Sequence, residues 1–284
     1  MFTFVSRNLK VFFRDKTAVF FSLLAVFIVL GLYILFLGDV WTESFPNVKE
    51  VKSLMNCWIV AGIIGVTSVT AIMGAFGIME EDKSKNKMKD FTVSPMKNFK
   101  IIGGYILSSF VVGSIMSVVA LAISQTYLIY SGAEALTVYQ LIEVFLVILL
   151  TTLSNSAMVL FIVSLFNSEK AFSTASTIVG TLIGFITGIY LPISMLPESV
   201  QTVVKLFPTS HGISILRQIF MERQMEVSFA DIPISYIDQF KETMGVVYYL
   251  NDKLVSNTTS IIILIGSAVV FFLLGIVLIS RKKK

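Results

Sequence analysis

The stretch Gly188-Ile-Tyr-Leu-Pro-Ile-Ser-Met-Leu-Pro-Glu-Ser-Val-Gln-Thr-Val-Val-Lys-Leu-Phe-Pro-Thr-Ser-His-Gly-Ile-Ser-Ile-Leu-Arg217 is too apolar for a solvated loop and too interrupted for one membrane-spanning helix. Three of the chain's six prolines, Pro192, Pro197 and Pro208, fall inside it. Each removes a backbone donor and clashes with the preceding turn, so helix breaks are expected near all three. Broken backbone at membrane depth persists only where protein or a water-filled cavity covers it. The segment is therefore the strongest pointer to what the chain does.

The rest of the sequence places that segment in a membrane protein. Of 284 residues, 55% are hydrophobic and only 14% charged, with a mean hydropathy of +0.85. Soluble domains carry about a quarter charged residues. The apolar residues come in blocks long enough to cross a hydrocarbon core of about 30 Å. Spans are expected at about 17–38, 57–79, 101–130, 141–166, 172–191 and 258–280. The expected fold is thus an all-α polytopic membrane protein of six transmembrane helices in a single membrane domain. The third block exceeds what a crossing needs and is expected to project or tilt.

The single cysteine, Cys57, rules out a disulfide framework and a cysteine metal site, and reads as a small buried hydrophobe. The sequence pI near 9.0 does not point to nucleic acid, because the bases flank apolar spans instead of forming one basic domain. The first apolar run, Thr17 to Gly38, is too long for a signal core and has no small-residue cleavage pattern after Leu37, so it reads as a retained span.

Counting lysines and arginines by side sets an orientation. With the N-terminus inside, Arg7, Lys10, Arg14 and Lys16 are cytoplasmic, as are Lys83, Lys85, Lys87, Lys89, Lys97 and Lys100. Lys170 and the tail Arg281 to Lys284 join them, giving fifteen bases inside and seven outside. Both termini are expected in the cytoplasm and the proline-broken segment on the outer face. Residues 222–256 are too few to fold alone and are expected to cap the membrane domain from outside. Asn257-Thr-Thr matches a glycosylation sequon, but Asn257 is expected instead to cap the last span.

The span interiors contain essentially no ionisable residue except Glu143, near the outer end of the fourth span. Ion-coupled carriers place such groups at midplane, so that class is weakened, although backbone carbonyls also bind sodium. Glu143 reads as an interfacial carboxylate. His211 is the only histidine, so neither a multi-histidine metal site nor a histidine relay can be assembled. It reads as a helix-start residue beside Pro208. Glu80-Glu81 lacks the arginine and histidines of membrane prenyl-type proteases, Lys85 standing where that arginine belongs. No catalytic, cofactor or metal residues are expected. There is no Gly-x-x-x-x-Gly-Lys-Ser/Thr phosphate loop, so uphill transport would draw its energy from another polypeptide through a cytoplasmic surface.

Two segments suit that surface. Residues 1–16 fit an interfacial amphipathic helix with Phe2, Val5, Leu9, Phe12 and Phe13 on one arc and Arg7, Lys10 and Arg14 on another. Phe4 and Val11 fall outside the apolar arc, and a plain topogenic basic flank is the alternative. Residues 80–100 open with acids, continue with bases, and interleave Phe91, Val93 and Met96, as a short docking helix would. Ser94-Pro95 supplies a helix start.

In this order and spacing the chain resembles the membrane subunit of an ABC type-2 exporter over nearly its whole length. The resemblance rests on the N-terminal interfacial helix, the acidic opening after the second span, and Val93-Ser94-Pro95-Met96 before Gly103-Gly104-Tyr105-Ile106-Leu107. Leu191-Pro192 through Pro197 and Phe207-Pro208 through Arg217 resemble the family's outer re-entrant region. The family's acidic-basic-acidic triplet followed by Gly-Thr is replaced here by Glu80-Glu81-Asp82-Lys83 and a lysine-rich run.

The resemblance implies two copies of an ABC ATPase subunit and a second permease subunit, identical or homologous. ATP and magnesium would sit on the ATPase, and the location would be a cell membrane, here a bacterial one. It implies ATPase docking through Arg7, Lys10, Arg14, Glu80, Glu81, Asp82, Lys87, Lys89, Asp90, Phe91 and Pro95. It also implies an outer gate at 192–221 containing Pro192, Pro197, Pro208 and His211. An amphiphilic drug, a peptide or a lipid-linked molecule would each suit such a path. The 24 phenylalanines and Gly180, Gly184 and Gly188 read equally as ordinary packing residues. Two other readings stand beside export: an ion-coupled carrier, and a membrane immunity or scaffold protein that sequesters a toxic peptide without pumping.

Overall fold

The computed structural model describes residues 1–45, 48–93, 98–166, 168–230, 232–250 and 253–281. Helix α1 (Phe2–Arg14) is separated from α2 (Lys16–Leu32) by Asp15. The Asp15 carboxylate caps α2 by accepting from the Ala18 N–H at 3.0 Å. A π-turn at Tyr33–Leu37 and α3 (Gly38–Ser44) prolong α2. Then come α4 (Val51–Ser84), α5 (Lys87–Val93), α6 (Asn98–Tyr130) and α7 (Val138–Leu165). Thr137 and Gln140 form a reciprocal capping box at the start of α7.

Next is α8 (Glu169–Ile186), capped by the Ser168 hydroxyl on the Ala171 N–H. A 3-10 turn (Ile193–Met195), α9 (Glu198–Leu206), α10 (Pro208–Ser228) and α11 (Ile234–Thr243) follow. A small antiparallel hairpin, β1 (Tyr249–Leu250) and β2 (Lys253–Leu254), leads into α12 (Asn257–Arg281).

The fold is all-α apart from that hairpin. Among the described residues, five helical stretches are long and apolar enough to cross a membrane: Lys16–Phe36, Val51–Ser84, Lys100–Tyr130, Val138–Leu165 and Asn257–Arg281. The block expected as the fifth span forms α8, which differs from these five. It has 18 residues, and its first half carries Glu169, Lys170 and a Ser/Thr-rich run that dilutes its hydropathy.

Helix α8 also stops at Ile186, short of the expected residue 191, and glycine rather than proline stops it. Gly188 takes φ +65°, its N–H reaches the Phe185 carbonyl at 3.1 Å, and the Ile189 N–H reaches the Gly184 carbonyl at 2.9 Å. This is a Schellman cap, which needs a left-handed residue that glycine adopts without a Cβ penalty. Pro197 and Pro208 start helices instead of ending them, at the N-cap of α9 and the first position of α10.

Two further boundaries differ from expectation. Helix α10 continues past 221 to Ser228, because Glu222 to Val227 contains neither glycine nor proline. The residue capping α12 is Ser256, not Asn257: its hydroxyl accepts from the Thr259 N–H at 3.2 Å.

The core is α4. Its side chains are buried along almost the whole helix, because α2, α6, α7, α8 and α10 all pack around it. At Gly65 the contact is so close that a β-carbon would overlap Ile213 of α10. Helix α12 packs on α7 and α10 and leaves most of its remaining surface exposed, including Ile262, Val269 and Leu273.

Midway along α4, Asn155 centres a neutral network. Asn155 on α7 donates to the Ser68 hydroxyl at 2.6 Å and accepts from Thr209 of α10 at 2.7 Å. Such bonds hold helices together where apolar surroundings offer no alternative partner.

Candidate functional site

The two ends of α4 carry different chemistry. At its C-terminal end, α1, α5, α6 and the start of α8 converge on its last two turns. The Arg7 guanidinium of α1 grips the Asp82 carboxylate with both terminal nitrogens, one at 2.8 Å to Oδ1 and the other at 2.5 Å to Oδ2. The Tyr105 hydroxyl of α6 donates to the same carboxylate at 2.7 Å. Asp82 is 1% exposed, so this is a buried carboxylate with three charge-assisted bonds. The bond to Asp82 holds the Arg7 pKa above its ordinary value, so Arg7 stays charged.

The neighbours of Arg7 position it. Asn8 accepts from Arg7 at 2.9 Å and donates to Ser108 of α6 at 3.2 Å. Phe4 packs edge-on against Phe91 and Tyr105 at 5.1 and 5.0 Å, and Arg7 lies over the Phe91 ring at 5.5 Å. Gly104 makes room: a β-carbon there would overlap the Phe4 ring. Lys85 pairs with Glu81 at 2.7 Å, Lys83 with buried Glu80, and Lys87 lies 3.8 Å from Glu81 and 3.7 Å from Asp82. Ser84 donates to Glu169 of α8 at 2.6 Å.

The residues expected to dock a partner separate accordingly. Arg7, Asp82 and Phe91 join helices of this chain, and buried Glu80 pairs with Lys83 within α4, because a carboxylate this deep is stable only with partners in place. Lys10, Arg14, Glu81, Lys87 and Asp90 retain exposed or half-exposed positions. The Lys89 side chain and Pro95, with the Ser94-Pro95 helix start, lie outside the described residues.

The faces of α1 also differ from expectation. Phe4, Val5, Asn8 and Phe12 are buried against the bundle, while Phe2 and Phe13 are exposed. The apolar residues therefore split into a protein-facing arc and a second exposed arc, with Lys10 and Arg14 beside the latter. Phe4, which broke the single-arc pattern, is the residue that docks the helix.

At the other end of α4, the proline-broken segment packs inward. Pro192 and Pro208 are buried, Pro197 is exposed, and α10 enters the bundle among α4, α7 and α12. His211 is 1% exposed and is held between the Ser260 hydroxyl at 3.2 Å and the Lys205 carbonyl at 2.9 Å, which ties α10 to α12 and to α9. The Tyr248 ring meets it edge-on at 5.5 Å. Ser214 and Gln218 bind the Val246 carbonyl at 2.7 and 3.0 Å, drawing the chain after α11 onto α10.

Between the ends, α2, α4 and α8 border a cleft of about 890 Å³. Its walls combine aromatic Phe21, Phe172 and Tyr190 with the hydroxyl residues Ser22, Thr70 and Thr177.

Tyr105, Asn8, Glu169, Trp58 and Arg217 were not singled out from sequence. Tyr105 lies in the Gly103-Gly104-Tyr105 motif, and Arg217 is the only base between Lys205 and Arg223, which were the available signals.

Residues 39–277 match the family model described as ABC-2 family transporter protein. No curated protein matches the chain.

Proposed function

The chain belongs to the ABC-2 transporter family, and we propose that it is the permease subunit of an ATP-driven exporter. The observation that carries this reading is the family match, which runs from α3 to α12 and includes both ends of α4. With the N-terminus cytoplasmic, six crossings put the Arg7–Asp82–Tyr105 cluster inside and the α9–α11 region outside. Helix α8 then acts as the fifth crossing, short because polar residues occupy its cytoplasmic turns, and residues 192–221 form the outer re-entrant hairpin.

Two ABC ATPase subunits would bind the inner face, where ATP and magnesium belong, and a second permease copy or homologue would complete the pathway. The exposed residues Lys10, Arg14, Glu81, Lys87 and Asp90 are the contact set for the ATPase. The Arg7–Asp82–Tyr105 clamp acts one step behind them. It makes α1, α4 and α6 move as one body, so a push on α1 or α5 is delivered to α4. From Asp82 to Trp58, α4 extends ~36 Å at ~1.5 Å per residue, enough to carry that displacement to the opposite end.

The cargo proposed is an amphiphile: a drug, a peptide or a lipid-linked molecule. The mixed aromatic and hydroxyl lining of the cleft between α2, α4 and α8 supports it. A bacterial plasma membrane is the proposed location.

Co-expression with a candidate ABC ATPase subunit tests this function. Affinity-purified chain should bring down that ATPase, and inverted vesicles should accumulate a fluorescent amphiphile only with ATP and both proteins. Accumulation by the chain alone under a proton gradient would refute the proposal, as would activity that survives an ATPase-dead partner.

A further inference from the structure

Arg217 of α10 is completely buried, and among the described residues its partners are neutral. One terminal nitrogen donates to the carbonyls of Met244 at 3.1 Å and Gly245 at 3.3 Å, and the other to the carbonyl of Gly188 at 3.0 Å. The guanidinium lies 4.5 Å from the ring centre of Trp58 on α4, and the Trp58 indole N–H donates to the same Met244 carbonyl at 2.8 Å. A cation removed from water needs compensation, which a carboxylate usually supplies.

Two helix C-termini supply it here. Gly188 is the left-handed residue that closes α8, and Gly245, at φ +64°, closes α11 in the same way. The Gly245 N–H reaches the Glu242 carbonyl at 3.0 Å, and the Val246 N–H reaches the Lys241 carbonyl at 2.8 Å. Helix C-termini present unpaired carbonyls and the negative end of the macrodipole. Arg217 thus sits where two negative helix ends and the face of an indole converge.

We propose that Arg217 is the positioning residue of this end of the molecule: a resident cation that locks the turns after α8 and α11 onto α4 and releases them together. If either turn swings away, the charge loses part of its compensation, so neither opens cheaply alone. Trp58 makes α4 a member of the lock, so displacement of α4 at its Asp82 end reaches both turns. The use of this motion as a gate rests on the permease reading; the lock itself does not.

Hydrogen exchange on the full chain in lipid nanodiscs tests it. Arg217→Lys keeps the charge but loses the planar fork, and Trp58→Phe loses the Met244 bond and weakens the stack. Each variant should raise exchange in both 187–191 and 244–248 by about tenfold. The double variant should do little more than the larger single one, with α7 unchanged. A response in only one turn, no response, or effects that multiply would overturn the inference. In a complex with the ATPase, ATP should alter exchange at 244–248 in the unchanged chain, and Arg217→Lys should remove that change while sparing the one at 80–93. Persistence of the change at 244–248 in Arg217→Lys overturns the lock. Absence of any ATP effect at either end of the unchanged chain overturns the permease reading, while the nanodisc result still decides the lock.

Discussion

Replacing Asp82 with asparagine should undock α1 without unfolding the bundle. The aspartate receives two bonds from Arg7 and one from Tyr105. Hydrogen bonds to a charged group contribute roughly 1.5–3 kcal/mol each when buried. The Arg7 side chain is 30% exposed, so solvent screens part of that attraction, and asparagine retains one acceptor. A net loss of about 2 kcal/mol remains, or a factor of about 30 in the docked-to-undocked ratio of α1. Helix α1 keeps the burial of Phe4, Val5 and Phe12, so the loss is local.

Hydrogen exchange of residues 2–14 in the purified full chain reads this ratio directly, with α7 as the internal control. Arg7→Gln should give a similar rise, and the double variant should show a coupling of about 2 kcal/mol, because removing either partner already removes the bond. A change below threefold in Asp82→Asn would refute the reasoning. Additive effects of the two substitutions would do the same, since they would mean that the ion pair does not hold α1.

Three further outcomes follow from the packing. Gly65→Val should cost about 1–3 kcal/mol by forcing α4 away from Ile213, and Ile213→Ala should restore part of it. A thiol-reactive dye on Cys57, which is buried and the only cysteine, reports the melting midpoint. With the same dye, Asn155→Leu should destabilise by about 1–3 kcal/mol, because Thr209 and Ser68 lose a buried partner; an unchanged midpoint would remove that network from the account. Reversing the exposed Lys10, Arg14 and Asp90 together should reduce recovery of an ABC ATPase partner with the chain while leaving the melting midpoint in place. Full recovery would move the docking surface elsewhere.

Composition and order along the chain determined the class of this protein. Long apolar blocks, few charges and lysine-rich connections point to helices in a membrane, because a continuous apolar stretch of about twenty residues satisfies its own backbone there as a helix, whereas barrel strands are shorter and alternate. Prolines at 197 and 208 marked where α9 and α10 begin, and other local motifs marked further helix starts. These signals act within a few residues, so they can be read in one dimension. The boundary at Gly188 was harder, since a left-handed cap depends on two hydrogen bonds that form only once the helix exists.

The sites were decided by the tertiary structure. Glu80 and Asp82 looked like surface acids in a charged loop and are buried, because α4 carries them into the packing of α1 and α6. Arg7 meets Asp82 across 75 positions of sequence, and Arg217 meets Gly188 across 29. Whether a charge faces water, a partner or the chain's own carbonyls depends on which helix ends converge around it. That convergence follows from how the helices pack around α4, through contacts such as Gly65 with Ile213 and Gly104 with Phe4, and no local pattern in the sequence records it.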